Sequence, residues 1–207
     1  MVPADRSQSS LGGSRKAQVE RRTSETEVDV SIDLDGRGQA RVETGIGFFD
    51  HVLELFAKHG QFDITVTARG DLATGPHHTV EDVGICLGRA LSEAVGSGAG
   101  IRRYGSFLLP MDEALTLLSL DLSGRPFLAY DVGISVTEIG GFDADLTEEF
   151  FQAIVNNARM TLHIKLLAGS NSHHIVESVF KGFGRALDEA TGLDGRTSDI
   201  PSTKGVL

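Results

Sequence analysis

The chain has 207 residues, 29 acidic against 19 basic side chains, and a formal net charge of −10. The basic residues are scattered, which argues against a nucleic-acid partner, since that needs a concentrated basic face. No apolar run approaches the roughly 20 residues of a membrane span. The one cysteine, Cys86, excludes an intrachain disulfide and fits a reducing, cytoplasmic setting.

Residues 1–14 are polar, lack the apolar stretch of a signal peptide and are expected to form a disordered arm. The alternation Val28, Val30, Ile32, Leu34 predicts strand structure ending in "IDLDGRG", with Gly36 at a hairpin turn. A helix is expected over 46–59, with Val52, Leu53, Leu55 and Phe56 on its apolar face, and a strand from Phe62. A second helix opens at His77, and glycine-rich "GSGAG" (Gly96 to Gly100) marks a seam. The same order then returns. Leu115, Leu117, Leu118, Leu120 and Leu122 lead into "LDLSGRP" with Gly124 at a second turn. A helix follows over 147–158 (Phe150, Phe151, Ile154, Val155), then a strand from Thr161 and a helix opening at His173.

The two closing helices are near copies. At an offset of 96, "HHTVEDVGICLGRALSEAVG" and "HHIVESVFKGFGRALDEATG" agree at twelve of twenty positions. Two units are too few for a solenoid. The expectation is an α+β domain over 15–207, built of two ββαβα pseudo-repeats, 15–100 and 101–207, with helices packed on one face of each sheet.

Each copy carries His-His-x-x-Glu. At about 100° per residue, His77 and Glu81 share a helix face, as do His78 and Glu81, while the two adjacent rings point apart. Two ions, each taking one ring of a pair, suit this pattern better than one. His77, His78, Glu81, His173, His174 and Glu177 are therefore candidate metal ligands. His51 in "FFDHVLELF" is a further candidate, with Glu149 in "TEEFFQA" as its counterpart in the repeat. Imidazole mixed with carboxylate, and no thiolate, favours octahedral Mn²⁺ or Fe²⁺ over closed tetrahedral zinc. His163, between apolar neighbours on a strand, reads as a satisfied core histidine or one that supports a ligand from behind, rather than as a ligand. Cys86 reads as a small buried hydrophobe. Such a donor set also serves di-metal hydrolysis of phosphate esters, or a non-enzymatic metal-binding oligomer.

Six separated stretches, "ETGIGFFDHVLELFAKHGQFD", "HHTVEDVGICLGRAL", "GIRRYGSFLLPMDEAL", "DLSGRPFL", "NSHHIVESVFKGFGRAL" and "PSTKGVL", together resemble the imidazoleglycerol-phosphate dehydratase family from about Arg15 to Leu207. The resemblance implies a hydro-lyase of histidine biosynthesis. It would convert D-erythro-imidazoleglycerol phosphate to imidazole acetol phosphate plus water, with two Mn²⁺ per active site. It implies a duplicated fold of the ribosomal S5 domain 2-like kind, and trimers assembled into a 24-mer with active sites between subunits. The metal ligands would be His51, His77, His78, Glu81, His173, His174 and Glu177. The eighth family ligand is often a histidine in "EHFF"; this chain has "EEFF", which leaves Glu149 either a carboxylate ligand or no ligand. The resemblance further implies Glu25 as the acid/base group, with Glu81 and Glu177 as the other catalytic carboxylates, and Glu113 as the repeat partner of Glu25. Arg103, Arg125, Lys181, Ser202, Thr203 and Lys204 would bind the phosphate, and His51, His77, His173 and Glu25 would face the rest of the substrate.

Overall fold

The computed structural model describes residues 15–207, so the expected arm at 1–14 lies outside the described residues. In chain order the first half comprises β1 (Lys16–Arg22), β2 (Thr26–Asp33), β3 (Ala40–Glu43), α1 (Gly47–Gly60), β4 (Asp63–Gly70) and α2 (His77–Val95). The second comprises β5 (Tyr104–Met111), β6 (Ala114–Asp121), β7 (Phe127–Asp131), a two-residue hairpin β8 (Glu138–Ile139) and β9 (Phe142–Asp143), α3 (Leu146–Ala158), β10 (Thr161–Ala168) and α4 (Ser172–Thr191). The expected ββαβα order is present in both, with an added short strand in the main sheet of each half, β3 and β7, and the small β8–β9 hairpin in the second half alone. The sheets have matching orders, β1-β2-β4-β3 and β5-β6-β10-β7. Lys16 faces Asp33 across β1–β2, and Tyr104 faces Asp121 across β5–β6, so the two ladders share a register at an offset of 88.

The short strands correct the reading of Gly36 and Gly124. The β1–β2 and β5–β6 hairpins turn instead at 23–25 and 112–113. Gly36 and Gly124 follow β2 and β6, where the chain leaves for β3 and β7, which pair in parallel with β4 and β10. Parallel neighbours require a crossover, and α1 and α3 supply it. Gly36 is there for room, because a Cβ would stand 2.2 Å from the Asp63 nitrogen.

These connections set the direction of every helix. β3 and β4 both run toward the β1–β2 hairpin, so α1 and α2 both begin at that end. The same holds for α3 and α4 at the β5–β6 hairpin. Between halves, a Cβ on Gly184 of α4 would meet the Phe56 carbonyl of α1 at 2.5 Å, and one on Gly88 of α2 would meet the Ile154 carbonyl of α3 at 2.7 Å. His51 of α1 also contacts Glu177 of α4. The four helices therefore run parallel, between the two sheets, with all their N-termini at one end. Their shared core is phenylalanine-rich. Phe49, Phe56, Phe150, Phe151, Phe180 and Phe183 are fully buried and pack edge-on or stacked on one another.

Candidate metal centre

All eight proposed donors sit near the N-termini of these four helices: His51 on α1, His77, His78 and Glu81 on α2, Glu149 on α3, and His173, His174 and Glu177 on α4. α4 is opened by Asn171, whose side chain accepts the backbone N–H of His173 at 3.0 Å. α2 opens after Pro76, already at a helical φ of −79°. The matching contacts of Gly184 with Phe56 and Gly88 with Ile154 fix a helix offset of 98, which places Glu149 on α3 where His51 stands on α1. The planes of adjacent imidazoles stand nearly perpendicular, His77 against His78 at 87° and His173 against His174 at 89°, with ring centroids 6.0 and 6.3 Å apart.

One triad is assembled within the chain. His173 Nε2 and His51 Nε2 lie 2.7 and 3.0 Å from Glu177 Oε1, and Lys181 Nζ lies 2.6 Å from Oε2. The Glu177 side chain is only 8% exposed, against 45% for His51 and 47% for His173. Burial pushes its pKa up, but the hydrogen bonds from Lys181, His51 and His173 outweigh burial and hold it at about 2. A carboxylate kept ionised in a buried position, beside two imidazole nitrogens, is a donor set that fits a divalent cation of the Mn²⁺ or Fe²⁺ kind. A second group brings Glu25, Asp71 and His78 together, with ligand atoms within 4.8 Å of one another. His78 Nδ1 lies 3.2 Å from both Asp71 oxygens and 3.7 Å from Glu25 Oε2. The hydrogen bond that His78 donates to Asp71, then the charge of Glu25, raise the His78 pKa. His174 Nδ1 meets Glu113 Oε2 at 2.8 Å, which raises its pKa in turn. Among the described residues, no group of three donors includes His77, Glu81, Glu149 or His174.

The proposed phosphate binders divide. Lys181 stands at the donor end. Arg103 stands at the other, its guanidinium on Asp121 (2.7 and 3.1 Å) and on the Pro201 carbonyl (2.8 Å). Arg125 Nη2 is 3.9 Å from the same Asp121. Ser202, Thr203 and Lys204 follow Pro201, with the Lys204 N–H on Ser202 Oγ at 3.2 Å. Two rulers give the span. Strand β5 separates Arg103 from the Glu113 turn by about 26 Å. Helix α4 separates His174 from Ala190, whose carbonyl accepts the Arg103 N–H, by about 24 Å.

His163 is not a core residue. It is exposed on the outer face of the second sheet, its ring 5.7 Å from that of Phe127. Asp71 was not singled out by sequence. Its signal was a change of repeat offset, from 98 at strand β4 to 96 at helix α2, which marks a loop two residues longer than its counterpart.

The family model described as imidazoleglycerol-phosphate dehydratase matches residues 44–187. A relative from Acetivibrio thermocellus with that name is 55% identical over 193 residues, 93% of this chain and 99% of the relative. One from Methylorubrum extorquens is 54% identical over 194 residues, covering 93% of this chain and 100% of the relative. The crystal structure of imidazoleglycerol-phosphate dehydratase from Staphylococcus aureus superposes with a TM-score of 0.79 at 39% identity, covering 86% of this chain and 99% of that one. The Pyrococcus furiosus structure, in complex with (S)-C348, gives 0.79 at 40% identity, covering 91% and 100%.

Proposed function

We propose, from the premise that the chain belongs to the imidazoleglycerol-phosphate dehydratase family, that its helix-terminus donors hold two Mn²⁺ ions against the imidazole of the substrate. The activity is the family's: a hydro-lyase reaction of histidine biosynthesis, loss of water from imidazoleglycerol phosphate. The observation that carries the metal reading is the triad of His51, His173 and Glu177, with its buried carboxylate held ionised.

When bound, the ions would supply Lewis acidity toward the substrate's imidazole and a template for the ring. The chain's own residues do the rest. His51, His77, His78, His173 and His174, with Glu81 and Glu177, hold the ions. Glu149 is placed to replace a histidine as the eighth donor. Glu25 moves the proton. It sits on the exposed β1–β2 turn, its side chain 55% exposed, so it can reach a substrate carbon without first breaking a buried contact. Lys181 holds Glu177 and offers a charge to the phosphate.

Self-association into trimers and a 24-mer completes the reading. A substrate of one five-membered ring, three carbons and a phosphate is far too short to join this chain's donors to its own Arg103, Arg125 and residues 202–204. A second copy is the natural source of those cations. The pseudo-repeats 15–100 and 101–207 then serve one site from both halves. Among the described residues no helix is long and apolar enough to cross a membrane. A histidine-biosynthesis activity with one buried, unpaired cysteine fits a cytoplasmic setting.

The test is metal removal. Chelator-stripped protein is expected to lose dehydration of imidazoleglycerol phosphate, followed as the ketone product, and to regain it with Mn²⁺. Full activity after exhaustive stripping, verified by elemental analysis, would sink the two-ion reading. Release of inorganic phosphate in place of the ketone would move the chain to ester hydrolysis.

A further inference from the structure

The turn glutamates Glu25 and Glu113 occupy equivalent positions at the offset of 88, yet their surroundings differ. Glu113 is fully engaged. Its Oε2 meets His174 Nδ1 at 2.8 Å, and its Oε1 accepts the backbone N–H groups of Asn171 (2.8 Å) and Ser170 (3.3 Å). Glu25 makes none of these contacts. At 3.7 Å its carboxylate is beyond hydrogen-bond reach of His78 Nδ1, which is held instead by Asp71.

The cause lies in the loops between strand and helix. From the end of the strand to the first histidine is five positions in the second half (Ala168 to His173) and seven in the first (Gly70 to His77). The short loop turns its N–H groups onto Glu113. The longer loop folds on itself: the Thr74 N–H donates to the Asp71 carbonyl (2.8 Å) and the Thr74 hydroxyl to Asp71 Oδ2 (2.7 Å). The Asp71 N–H also donates to the Glu25 carbonyl at 3.1 Å, so loop and turn are tied through backbone rather than through the glutamate side chain. Gly169, with no carboxylate to offer, occupies the place of Asp71 in the second half.

We propose that Asp71 and Glu113 are positioning residues with the same task, each fixing the second histidine of its pair through Nδ1 and leaving Nε2 without a hydrogen bond (on His174 the nearest carboxylate to it, Asp112, is 3.7 Å away), and that the longer loop bearing Asp71 is what releases Glu25 for proton transfer. A metal-ligating histidine commonly anchors its other nitrogen on a carboxylate, and losing that partner weakens metal binding by roughly 10–100-fold. One half spends its turn glutamate on this anchor. The other recruits Asp71 and keeps its glutamate free.

This inference rests on the two-ion reading, and a Mn²⁺ titration separates the two. Free Mn²⁺ is followed by electron paramagnetic resonance in stripped wild-type protein and in Glu113→Gln, Asp71→Ala and Asp71→Glu. Glu113→Gln is expected to bind Mn²⁺ about 10–100-fold more weakly and to recover wild-type kcat once Mn²⁺ saturates. Asp71→Ala is expected to stay low. Glu25 closes onto His78 in that variant, so kcat falls by about 10²-fold at saturating Mn²⁺ with KM unchanged, the size expected for a misplaced catalytic group. Asp71→Glu restores most of the loss. Full kcat in Asp71→Ala at saturating Mn²⁺, a permanent kcat defect in Glu113→Gln with unaltered Mn²⁺ affinity, or no rescue by Asp71→Glu would each overturn the proposal. No Mn²⁺ uptake by the wild-type protein would instead overturn the metal reading beneath it.

Discussion

The two halves share strand order, ladder register and helix direction, yet they solve three local problems differently. Under the first sheet, Asp82 of α2 is 6% exposed and takes the Arg21 guanidinium at 2.7 Å and the Thr26 hydroxyl. The equivalent residues of the second half are Leu109, Ala114 and Ser178, and Ser178 donates to its own helix at the Ile175 carbonyl (2.7 Å). On the outer face of the first sheet, charges pair across strands, as Lys16 with Asp33 (2.9 Å) and Arg22 with Glu27 (3.0 Å). On the second, the places of Glu20 and Asp29 are taken by Leu108 and Leu117, cross-strand neighbours left 52% and 38% exposed, beside the Lys165–Asp131 ion pair at 2.8 Å. At the helix ends, His51, His173 and Glu177 gather, while their counterparts Glu149, His77 and Glu81 do not. A duplicated frame thus keeps what sets the helices in place and varies what faces the two sides. One outer face is covered by paired charges; the other exposes two adjacent leucines at its middle.

The shared part should be the most fragile. Gly184→Ala and Gly88→Ala each push a Cβ into a helix backbone that cannot yield, at the two equivalent α1–α4 and α2–α3 crossings. Each should cost about 1–3 kcal/mol and lower the melting temperature, with Gly133→Ala, whose Cβ meets nothing within 4 Å, as the silent control. A melt unmoved by either substitution would show that the helices do not cross where these glycines put them.

Next comes the clamp. Asp82→Ala removes the acceptor that Arg21 and Thr26 share and should cost about 1–2 kcal/mol, since the Thr26 hydroxyl keeps Thr23 Oγ1 at 3.1 Å and Arg21, 31% exposed, can still reach water. Installing the second half's own solution, Arg21→Leu with Thr26→Ala and Asp82→Ser, should cost less than Asp82→Ala alone in a urea titration. A larger loss from the triple change would mean the two halves are not interchangeable at this point.

The outer faces come third. Leu108→Glu with Leu117→Asp writes the first half's residues onto the second. It should leave the unfolding free energy of the isolated chain within about 0.5 kcal/mol of the parent and reduce the assembled mass by light scattering. An unchanged mass would remove this face from the assembly.

The smallest effect is at Cys86. Full burial on α2 pushes its thiol up to about 11, so a thiol reagent at pH 8 meets a protonated, inaccessible sulfur. Labelling should wait for urea unfolding, and prompt labelling of the native enzyme would contradict the packing of α2.

Much of this was legible in the chain. Twelve identities in twenty positions carry both the duplication and the donors, because helix periodicity and metal chemistry are local and leave residue-level signatures. Strands β3 and β7 were not legible. β3 is four residues long with only Val42 buried, and it is held by parallel pairing to β4 across a helix. β6 was legible as a strand, but its two faces were not separable. "ALTLLSLD" carries leucine on both, and only packing assigns Leu118 and Leu120 inward and Leu117 outward. His163 was misplaced for the same reason.

The sequence by itself determined the family, the repeat, the helix-terminal donors and the absence of thiolate, all of which are properties of residue type and spacing. Tertiary structure alone decided that the four helices run parallel, so that donors from four elements meet at one end. It also set Arg103 about 25 Å from them while keeping Lys181 beside Glu177, and gave His78 an aspartate where His174 has a glutamate. Those outcomes depend on crossover direction, glycine-mediated helix contact and a two-residue difference in loop length. Each is a long-range consequence of packing that no single segment encodes.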